Sequence, residues 1–299
     1  MNAQISPLRQ LKKILLATDG SEFSSAAEQE AINLTRLLDS HLYVMSVVHG
    51  FPEDDALNLQ HLIKQEEEKA HQHMDSIKSK ATDIKCENVL HNGKVPYQEI
   101  IDAAEKQQVE LIVMGRRGKK NMLQFLIGAS TTKVIDNAHC SVLVTPRNSK
   151  IKGKNILLAM DGSPYNDRAT IIAINLAKRL KASITLISIV YNEHDEKRRH
   201  KAGKMLERTH NLLEAEGIEV KNHVITDKYA ENTVKIAKDI GCDLILMGSC
   251  GLTGLKKMLI GNISEKVISL AQCAVLVVKD RLIFEQKFGN RIEIEEWMR

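Results

Sequence analysis

The sequence has few aromatic residues, no long apolar run and no paired cysteines, and each of these absences excludes a class of protein. Aromatic residues make up only 4% of the 299 residues, so the core must be built from aliphatic side chains and methionine. No apolar run approaches the roughly 18 residues of a membrane-spanning helix. The N-terminal segment MNAQISPLRQLKK lacks the apolar core of a signal peptide. We therefore expect neither a membrane protein nor a secreted one.

The cysteines and the charge exclude further classes. The five cysteines are odd in number, are scattered and form no CxxC pair, which argues against a disulfide framework and against a zinc site. This pattern predicts reduced thiols and a cytoplasmic location. The formal net charge of +4 is too small to indicate nucleic-acid binding by itself. The length suits two domains of ordinary size.

A glycine-rich loop appears twice in the chain. It occurs first in Met114–Thr131 (MGRRGKKNMLQFLIGAST) and again in Met247–Ser264 (MGSCGLTGLKKMLIGNIS), with identical spacing of the glycines. The three glycines are Gly115, Gly118 and Gly128 in the first copy, and Gly248, Gly251 and Gly261 in the second. Glycines at a strand-to-loop corner allow a positive φ and a close approach of the backbone to a ligand. With the free N–H groups of the helix that follows, such a loop predicts an anion site.

The repetition extends over nearly the whole chain. KILLATDGSE, which begins at Lys13, is mirrored by NILLAMDGSP, which begins at Asn155, so that Asp161 corresponds to Asp19. The glycine loops are 133 residues apart (248 − 115), whereas the two aspartates are 142 apart (161 − 19). The second half therefore has nine fewer residues between its aspartate and its glycine loop. The simplest interpretation is that its second helix is shorter. This duplication predicts domains over 1–148 and 149–281, with a separate tail over 282–299.

Short apolar runs alternate with helical patterns within each half. In the first half we predict strands over about 13–18, 41–48, 88–91, 110–114 and 141–145, and helices that include 54–80 and 96–106. Alternating strands and helices form parallel β-α-β units with right-handed crossovers. The fold class is therefore α/β, with two tandem doubly wound, Rossmann-like parallel sheets of five strands each. Such a sheet binds ligands where its strand order reverses, here between the first and fourth strands.

Several catalytic and nucleotide-binding motifs are missing. The loop after the first strand lacks GxGxxG, and the chain contains no GxxxxGK[ST] phosphate loop. It has no GxSxG elbow and no HExxH, and neither glycine loop contains an acidic residue that could hold a metal near phosphates. We therefore predict no catalytic residues and no metal-ligating residues.

These motifs together resemble the universal stress protein family in its tandem, two-domain form. The resemblance rests on the first strand followed by Asp-Gly-Ser, the glycine loop after the fourth strand, and the Cys-x-Val-Leu-Val of the last strand. It implies a strand order of 3-2-1-4-5 in each half and pairing of the two fifth strands in an intramolecular pseudo-dimer. One branch of the family binds ATP through the glycine loop. The resemblance therefore implies ATP or AMP as the ligand, with or without Mg²⁺, and a stress-response role through unknown protein partners.

The resemblance also assigns residues to a nucleotide site in each half. The adenine side is formed by residues at the ends of the first two strands: Asp19, Val47, Asp161 and Ile189. The six glycines of the loops hold the ribose and phosphates, assisted by polar side chains after the third glycine: Ser130, Asn262 and Ser264.

The chain departs from the ATP-binding branch directly after the third glycine. That branch usually has Ser or Thr there, whereas this chain has Ala129 and Asn262. Because the Asn262 amide can still donate a hydrogen bond, the second half is the stronger candidate for phosphate binding. Arg116 and Arg117 could compensate by charge in the first half.

Three interpretations remain open from the sequence. The chain binds adenine nucleotides and acts through partners, or it is an interaction scaffold of the same fold without nucleotide, or it is a weak ATPase. Asp19 and Asp161 could equally stabilise the turn in which they lie. Further homodimerisation and the role of the tail are left undecided.

Overall fold

A computed structural model of the chain describes residues 11–49, 56–117, 127–161, 165–189, 196–225, 227–248 and 261–279. Strands and helices alternate in both halves, as predicted. The first half contains β1 (Lys13–Ala17), α1 (Ser25–Leu38), β2 (His41–His49), α2 (Ala56–Ser79), β3 (Lys85–Gly93), α3 (Pro96–Lys106), β4 (Leu111–Gly115), α4 (Ala129–Asn137) and β5 (Ser141–Thr145). The second half contains β6 (Asn155–Met160), α5 (Tyr165–Leu180), β7 (Ser183–Ile189), α6 (Glu196–Ala215), β8 (Val220–Ile225), α7 (Tyr229–Asp239), β9 (Leu244–Gly248), α8 (Asn262–Leu270) and β10 (Ala274–Val278).

The ten strands form one continuous sheet. Their order is β3-β2-β1-β4-β5-β10-β9-β6-β7-β8, so each half has the predicted order 3-2-1-4-5. Strands within each half are parallel, and the two halves meet through the antiparallel pair β5 and β10. Leu143 lies opposite Leu276, its own counterpart in the repeat. The two halves are thus related by an approximate two-fold axis through this pair, as in an isologous dimer.

Helices cover both faces of the sheet, and each face has its own apolar core. One core packs α1, α2, α5 and α6 against side chains such as Leu16 and Leu158, which are fully buried. The other packs α3, α4, α7 and α8 against the opposite sides of the same strands, for example Leu15 and Leu157. Each core extends across both halves. The seam between the halves is therefore continuous with the cores rather than a separate surface contact.

A buried carboxyl pair lies beside the connection between the halves. Asp243 accepts hydrogen bonds from the backbone N–H groups of Lys152 and Lys154, at 2.9 and 3.1 Å from Oδ2. Glu30 of α1 is only 1% exposed, and burial raises its pKa to about 7, with the charge of Asp243 adding to the effect. One oxygen of each carboxyl, Glu30 Oε2 and Asp243 Oδ1, has no hydrogen-bond partner among the described residues.

Helix lengths account for part of the shortfall in the second half. α2 has 24 residues and α6 has 20, so the second helix is four residues shorter. The predicted bounds were otherwise close, the largest difference being at β3, which runs over Lys85–Gly93 rather than 88–91. None of the helices in the described ranges is long and apolar enough to cross a membrane.

Candidate functional site

A cavity of about 980 Å³ opens in the first half at the carboxyl ends of β1, β2 and β4. Its walls come from the β1–α1 loop, the end of β2, one face of α2, the start of α3 and the segment from Gly128 into α4. Several predicted site residues line it: Asp19, Val47, Gly115, Gly128 and Ser130. Since β1 lies between β2 and β4, the cavity is at the point where the strand order reverses. The predicted first-half residues are thus brought together, apart from Gly118, which lies outside the described residues.

Asp19 stabilises the turn after β1. Its Oδ1 accepts from the backbone N–H of Ser21 at 3.0 Å and from the Ser21 hydroxyl at 2.6 Å, which is an Asx turn. The turn needs Gly20, which has a φ of +67°. Asp19 also lines the cavity and is exposed. The turn role is therefore present in the structure, and contact with a ligand remains a prediction.

The glycine loop joins β4 to α4 at the other side of β1. The N–H of Gly128 donates to the carbonyl of Arg116 at 2.8 Å and closes the loop. Gly128 is the N-cap of α4 and provides no side-chain hydrogen bond to the helix. Because the first N–H groups of a helix have no partner within it, the start of α4 offers hydrogen-bond donors beside the cavity, and anion binding there stays a prediction.

From the sequence we expect a positive φ at the loop glycines, but the loop glycines that the structure describes do not have one. Gly128 and Gly261 have φ values of −65° and −63°, which any residue can adopt. Gly115 is explained by the close approach of another group to its Cα. That group belongs to the protein backbone and is not a ligand. A Cβ on Gly115 would lie 2.6 Å from the backbone carbonyl oxygen of Phe23 in the β1–α1 loop.

Arg116 and Arg117 point in different directions, which corrects the expectation that both could compensate for the missing hydroxyl. Arg117 lines the cavity. Arg116 instead crosses the seam, where its Nη1 donates to the carbonyls of Ala271 and Ser269 at 2.8 and 3.0 Å. Burial, with the charge of Arg117, lowers the pKa of this guanidinium. Arg116 therefore belongs to the interface between the halves and not to the lining of the cavity.

Hydroxyls at equivalent positions of the two loops have a structural role. Thr131 donates to the carbonyl of Gly115 at 3.1 Å, and Ser264 donates to the carbonyl of Gly248 at 3.3 Å. Both side chains are buried. Each hydroxyl thus ties the start of a helix to the end of the preceding strand. The hydroxyl proton of Ser264 is directed to the backbone, and its predicted contact with nucleotide stays a prediction.

A polar cluster on the α2 side of the cavity was missed by the sequence reasoning. Oε1 of Glu28 accepts hydrogen bonds from Thr18 Oγ1 at 2.7 Å and Ser24 Oγ at 2.9 Å, and lies 2.8 Å from Nε2 of His73. Thr18, Ser24 and His73 line the cavity. A comparison of the repeats offered a signal, since Glu28 corresponds to Thr170 in the second half.

The second-half site is described only in part. Asp161 lies at the end of β6, Gly248 ends β9, and Gly261 and Asn262 begin α8. Gly251 lies outside the described residues, as does the side chain of Ile189. The Asn262 side chain is exposed at the first position of α8. The prediction that the second half binds phosphate therefore remains a prediction.

The described residues include four free thiols but no clustered metal ligands. Within them, no group of three or more His, Cys, Asp or Glu side chains is arranged to hold a metal ion. Cys86, Cys140, Cys242 and Cys273 are free thiols. Burial raises the pKa of Cys140 to about 12, and contact with Cys273, together with burial, raises that of Cys242.

Comparison with known proteins agrees with this architecture. The sequence profile of the universal stress protein family matches the chain twice, over residues 10–146 and 153–279. A universal stress protein of Methanocaldococcus jannaschii is 36% identical over 147 residues, which cover 46% of this chain and 84% of that protein. A second relative, the Bacillus subtilis universal stress protein YxiE, is 33% identical over 144 residues and is covered over 97% of its length.

Solved structures of similar length share the tandem fold. The crystal structure of a universal stress protein from Archaeoglobus fulgidus has a TM-score of 0.74 at 26% identity, with 91% of this chain and 99% of that chain covered. A putative universal stress protein from Pseudomonas aeruginosa has a TM-score of 0.68 at 18% identity, which shows the fold alone, with 98% and 100% covered. The chain therefore belongs to the universal stress protein family and carries two domains of that family in tandem.

Proposed function

We propose that the chain is a stress-response module that binds an adenine nucleotide in the first-half cavity and acts through protein partners. The observation that supports this proposal is the cavity itself, which places Asp19, Val47 and the N-terminus of α4 around one space. Its volume of about 980 Å³ lies at the upper end of the usual range of ligand pockets, roughly 300–1,000 Å³. ATP and AMP both fit the proposal, with or without Mg²⁺.

Phosphate binds at the start of α4, and the base lies toward β2. The N–H groups of the first turn of α4 and the positive end of its dipole favour an anion. Ser130, which lines the cavity in that turn, adds a hydroxyl. Ala129 contributes only its backbone there. The absence of a side-chain cap leaves the N–H groups of this turn available for phosphate oxygens.

Two matched substitutions test this site. Gly128→Asp places a carboxylate at the N-cap of α4, where Asp is a favourable residue and the φ of −65° suits it. The helix is retained, but the carboxylate occupies the N–H groups and repels phosphate. We expect ATP affinity in the first half to fall about tenfold to a hundredfold, from the loss of charge-assisted hydrogen bonds. Gly261→Asp is the same change at the start of α8, where a Cβ meets nothing within 4 Å.

The test begins with the nucleotide content of the freshly purified protein, released by denaturation and counted per chain. Isothermal titration with ATP and with AMP, each with and without Mg²⁺, follows on the unmodified protein and on both variants. A loss confined to Gly128→Asp assigns binding to the first half. A loss in each variant assigns binding to both halves. If Gly128→Asp binds as tightly as the unmodified protein, the proposed first-half site is wrong.

The scaffold alternative rests on Ala129 and Asn262, which stand where the ATP-binding branch has hydroxyls. Purified protein without nucleotide, which also shows no thermal shift with ATP and Mg²⁺, would support it. An ATPase would require Mg²⁺-dependent turnover well above that of Gly128→Asp.

A further inference from the structure

The cluster of Thr18, Ser24, Glu28 and His73 gives the first-half cavity a chemically distinct wall. Three side chains converge on one oxygen of Glu28, at 2.7 Å from Thr18, 2.9 Å from Ser24 and 2.8 Å from His73. The Glu28 side chain is 12% exposed and that of His73 is 31% exposed. The carboxylate is therefore buried behind the imidazole, and the imidazole is the part of the pair that reaches the cavity.

The hydrogen bond to Glu28 determines what His73 offers to a ligand. A carboxylate can only accept, so Nε2 of His73 is the nitrogen that carries the proton. In that tautomer, Nδ1 is an acceptor. Nδ1 makes no hydrogen bond to other described residues, and the ring packs against Gly20, whose Cβ, if present, would lie 3.4 Å from Cδ2. His73 lines the cavity, so Nδ1 of its neutral imidazole is the ring nitrogen left for a ligand, while Glu28 fixes the tautomer.

The topology places this acceptor across the cavity from the anion site. α4 follows β4, α2 follows β2, and β1 lies between these two strands in the sheet. A ligand whose phosphates lie at the start of α4 therefore extends over the end of β1 toward α2. The group that reaches His73 is at the other end of the nucleotide, which is the base.

We infer that Glu28 and His73 are specificity-determining residues that select a base with an amine donor, adenine, over a base with a keto oxygen at the same position. This inference rests on the proposed nucleotide site. The exocyclic amine of adenine donates to Nδ1 of His73. The keto oxygen of hypoxanthine or guanine would place two acceptors face to face. Glu28 acts as a positioning residue, because it fixes the tautomer and the ring without touching the ligand.

The second half lacks this wall. The positions of Thr18, Ser24 and Glu28 correspond, at the offset of 142 residues, to Met160, Asn166 and Thr170. Asn166 there donates to the sulfur of Met205 at 3.3 Å, so a methionine of α6 contacts the residue equivalent to Ser24. The hydroxyl of Thr170 donates to the carbonyl of Asn166 in its own helix. The second half therefore has a threonine, not a carboxylate, at the position that orients His73 in the first half.

This difference between the halves supplies the variants for the test. Glu28→Thr introduces the residue that the second half has at this position, and His73→Met replaces the imidazole with an apolar side chain that has no ring nitrogen. His71→Met is the control, because His71 is exposed on the same helix and does not line the cavity. All variants are made in the full chain in the Gly261→Asp background, so that binding reports the first half. Thermal melting without nucleotide verifies that each variant folds.

The measurement is the ratio of the affinities for ATP and for inosine triphosphate, which differ at the six position of the base. With His73 and Glu28 in place, we expect ATP to bind about three- to tenfold more tightly, the size of one hydrogen bond. His73→Met should bring the ratio close to one, mainly through weaker ATP binding. Glu28→Thr should lower it partly, and His71→Met should leave it unchanged. The ¹⁵N resonance of His73 Nδ1 should move on addition of ATP.

Each outcome separates this inference from the proposed function. If neither the Gly261→Asp background protein nor the unmodified protein binds ATP or inosine triphosphate, the proposed function is wrong. If ATP binds but the ratio is already one, or stays the same in His73→Met, the inference is overturned and the nucleotide site stands. An unchanged His73 resonance on saturation with ATP would also overturn it, whether or not the Glu28 variant folds.

Discussion

The guanidinium of Arg116 in the first half donates to the carbonyl of Ala271 in the second half, across 2.8 Å. The same nitrogen also contacts the carbonyls of Ser269 and Ile268, at the C-terminal end of α8. A cation at this end of a helix satisfies unpaired carbonyls and interacts favourably with the helix dipole. Lys279 makes the reciprocal contact, with its Nζ 2.8 Å from the carbonyl of Ala138 at the end of α4. Each half thus caps a helix of the other.

Arg116→Met should loosen the seam between the halves. It removes a half-buried cation that satisfies several helix carbonyls, so we expect the free energy of unfolding to fall by about 2 kcal/mol. Urea denaturation followed by circular dichroism measures this change. Arg179→Met is a suitable control, because Arg179 also crosses the seam, to the carbonyl of Leu37, but is exposed. Its loss should cost about 0.5 kcal/mol or less. Equal effects of the two substitutions would contradict the assigned role of Arg116.

The sequence was sufficient to predict the fold because the repeat sets strong constraints. Two copies of one β-α-β pattern, each with five apolar runs, specify two parallel sheets and a reversal of strand order. The apolar runs Val142–Val144 and Val275–Val277 are buried on both faces, as expected for central strands, and they join the two sheets. Periodicity thus carries the information for elements and cores, whereas the strand order 3-2-1-4-5 and the pairing of the fifth strands follow from the resemblance to the universal stress protein family.

The candidate site could be predicted only where its residues lie in a local motif. Asp19 and the glycines were found from spacing, because they follow strand ends at fixed positions. The contact between Glu28 and His73 joins residues 45 apart, on two different helices, and no local pattern indicates it. Arg116 points to the second half, whereas Arg117 lines the cavity. This difference depends on the backbone path after β4, which cannot be read from the two residue types.

Gly115→Ala and Gly128→Ala should have different effects on stability. A Cβ at position 115 would lie 2.6 Å from the Phe23 carbonyl oxygen, a backbone atom that cannot move without shifting the β1–α1 loop. At position 128 the nearest atom would be 3.4 Å away, an ordinary contact. We expect Gly115→Ala to destabilise the protein by about 1–3 kcal/mol and Gly128→Ala by much less. Thermal or urea melts of the two variants test this. Equal stability would show that the loop after β1 is not held against Gly115.

Cys140 and Cys242 should react slowly with alkylating reagents in the folded protein. Burial raises the pKa of Cys140 to about 12, and contact with Cys273 and burial raise the pKa of Cys242. Since the thiolate is the reacting form, both should be protected from iodoacetamide at pH 8 and become labelled in urea. Peptide mass spectrometry resolves the individual cysteines. Rapid labelling of Cys140 under native conditions would contradict the raised pKa of this thiol.

Glu30 should make the stability of the protein depend on pH near neutrality. Burial, together with the neighbouring carboxyl of Asp243, raises its pKa from 4.5 to about 7, although the backbone of Ile151, Lys150 and Asn33 oppose the shift. The folded state therefore binds a proton more tightly than the unfolded state does. The protonated carboxyl therefore stabilises the folded state. This stabilisation is complete below about pH 4.5, the ordinary pKa, and is lost as the pH rises through about 7, the raised pKa.

Glu30→Gln should remove this pH dependence, because the amide is neutral throughout. Relative to the unmodified protein, the variant should gain stability between pH 5 and pH 8, by up to about 3 kcal/mol from a shift of this size. Urea titrations at several pH values measure the difference. Glu30→Ile, which copies Ile172 at the equivalent buried position of α5, should show the same trend with pH. A difference that stays constant from pH 5 to pH 8 in both variants would mean that Glu30 does not take up a proton on folding in this range, and that a bound cation or another group compensates its charge at the seam.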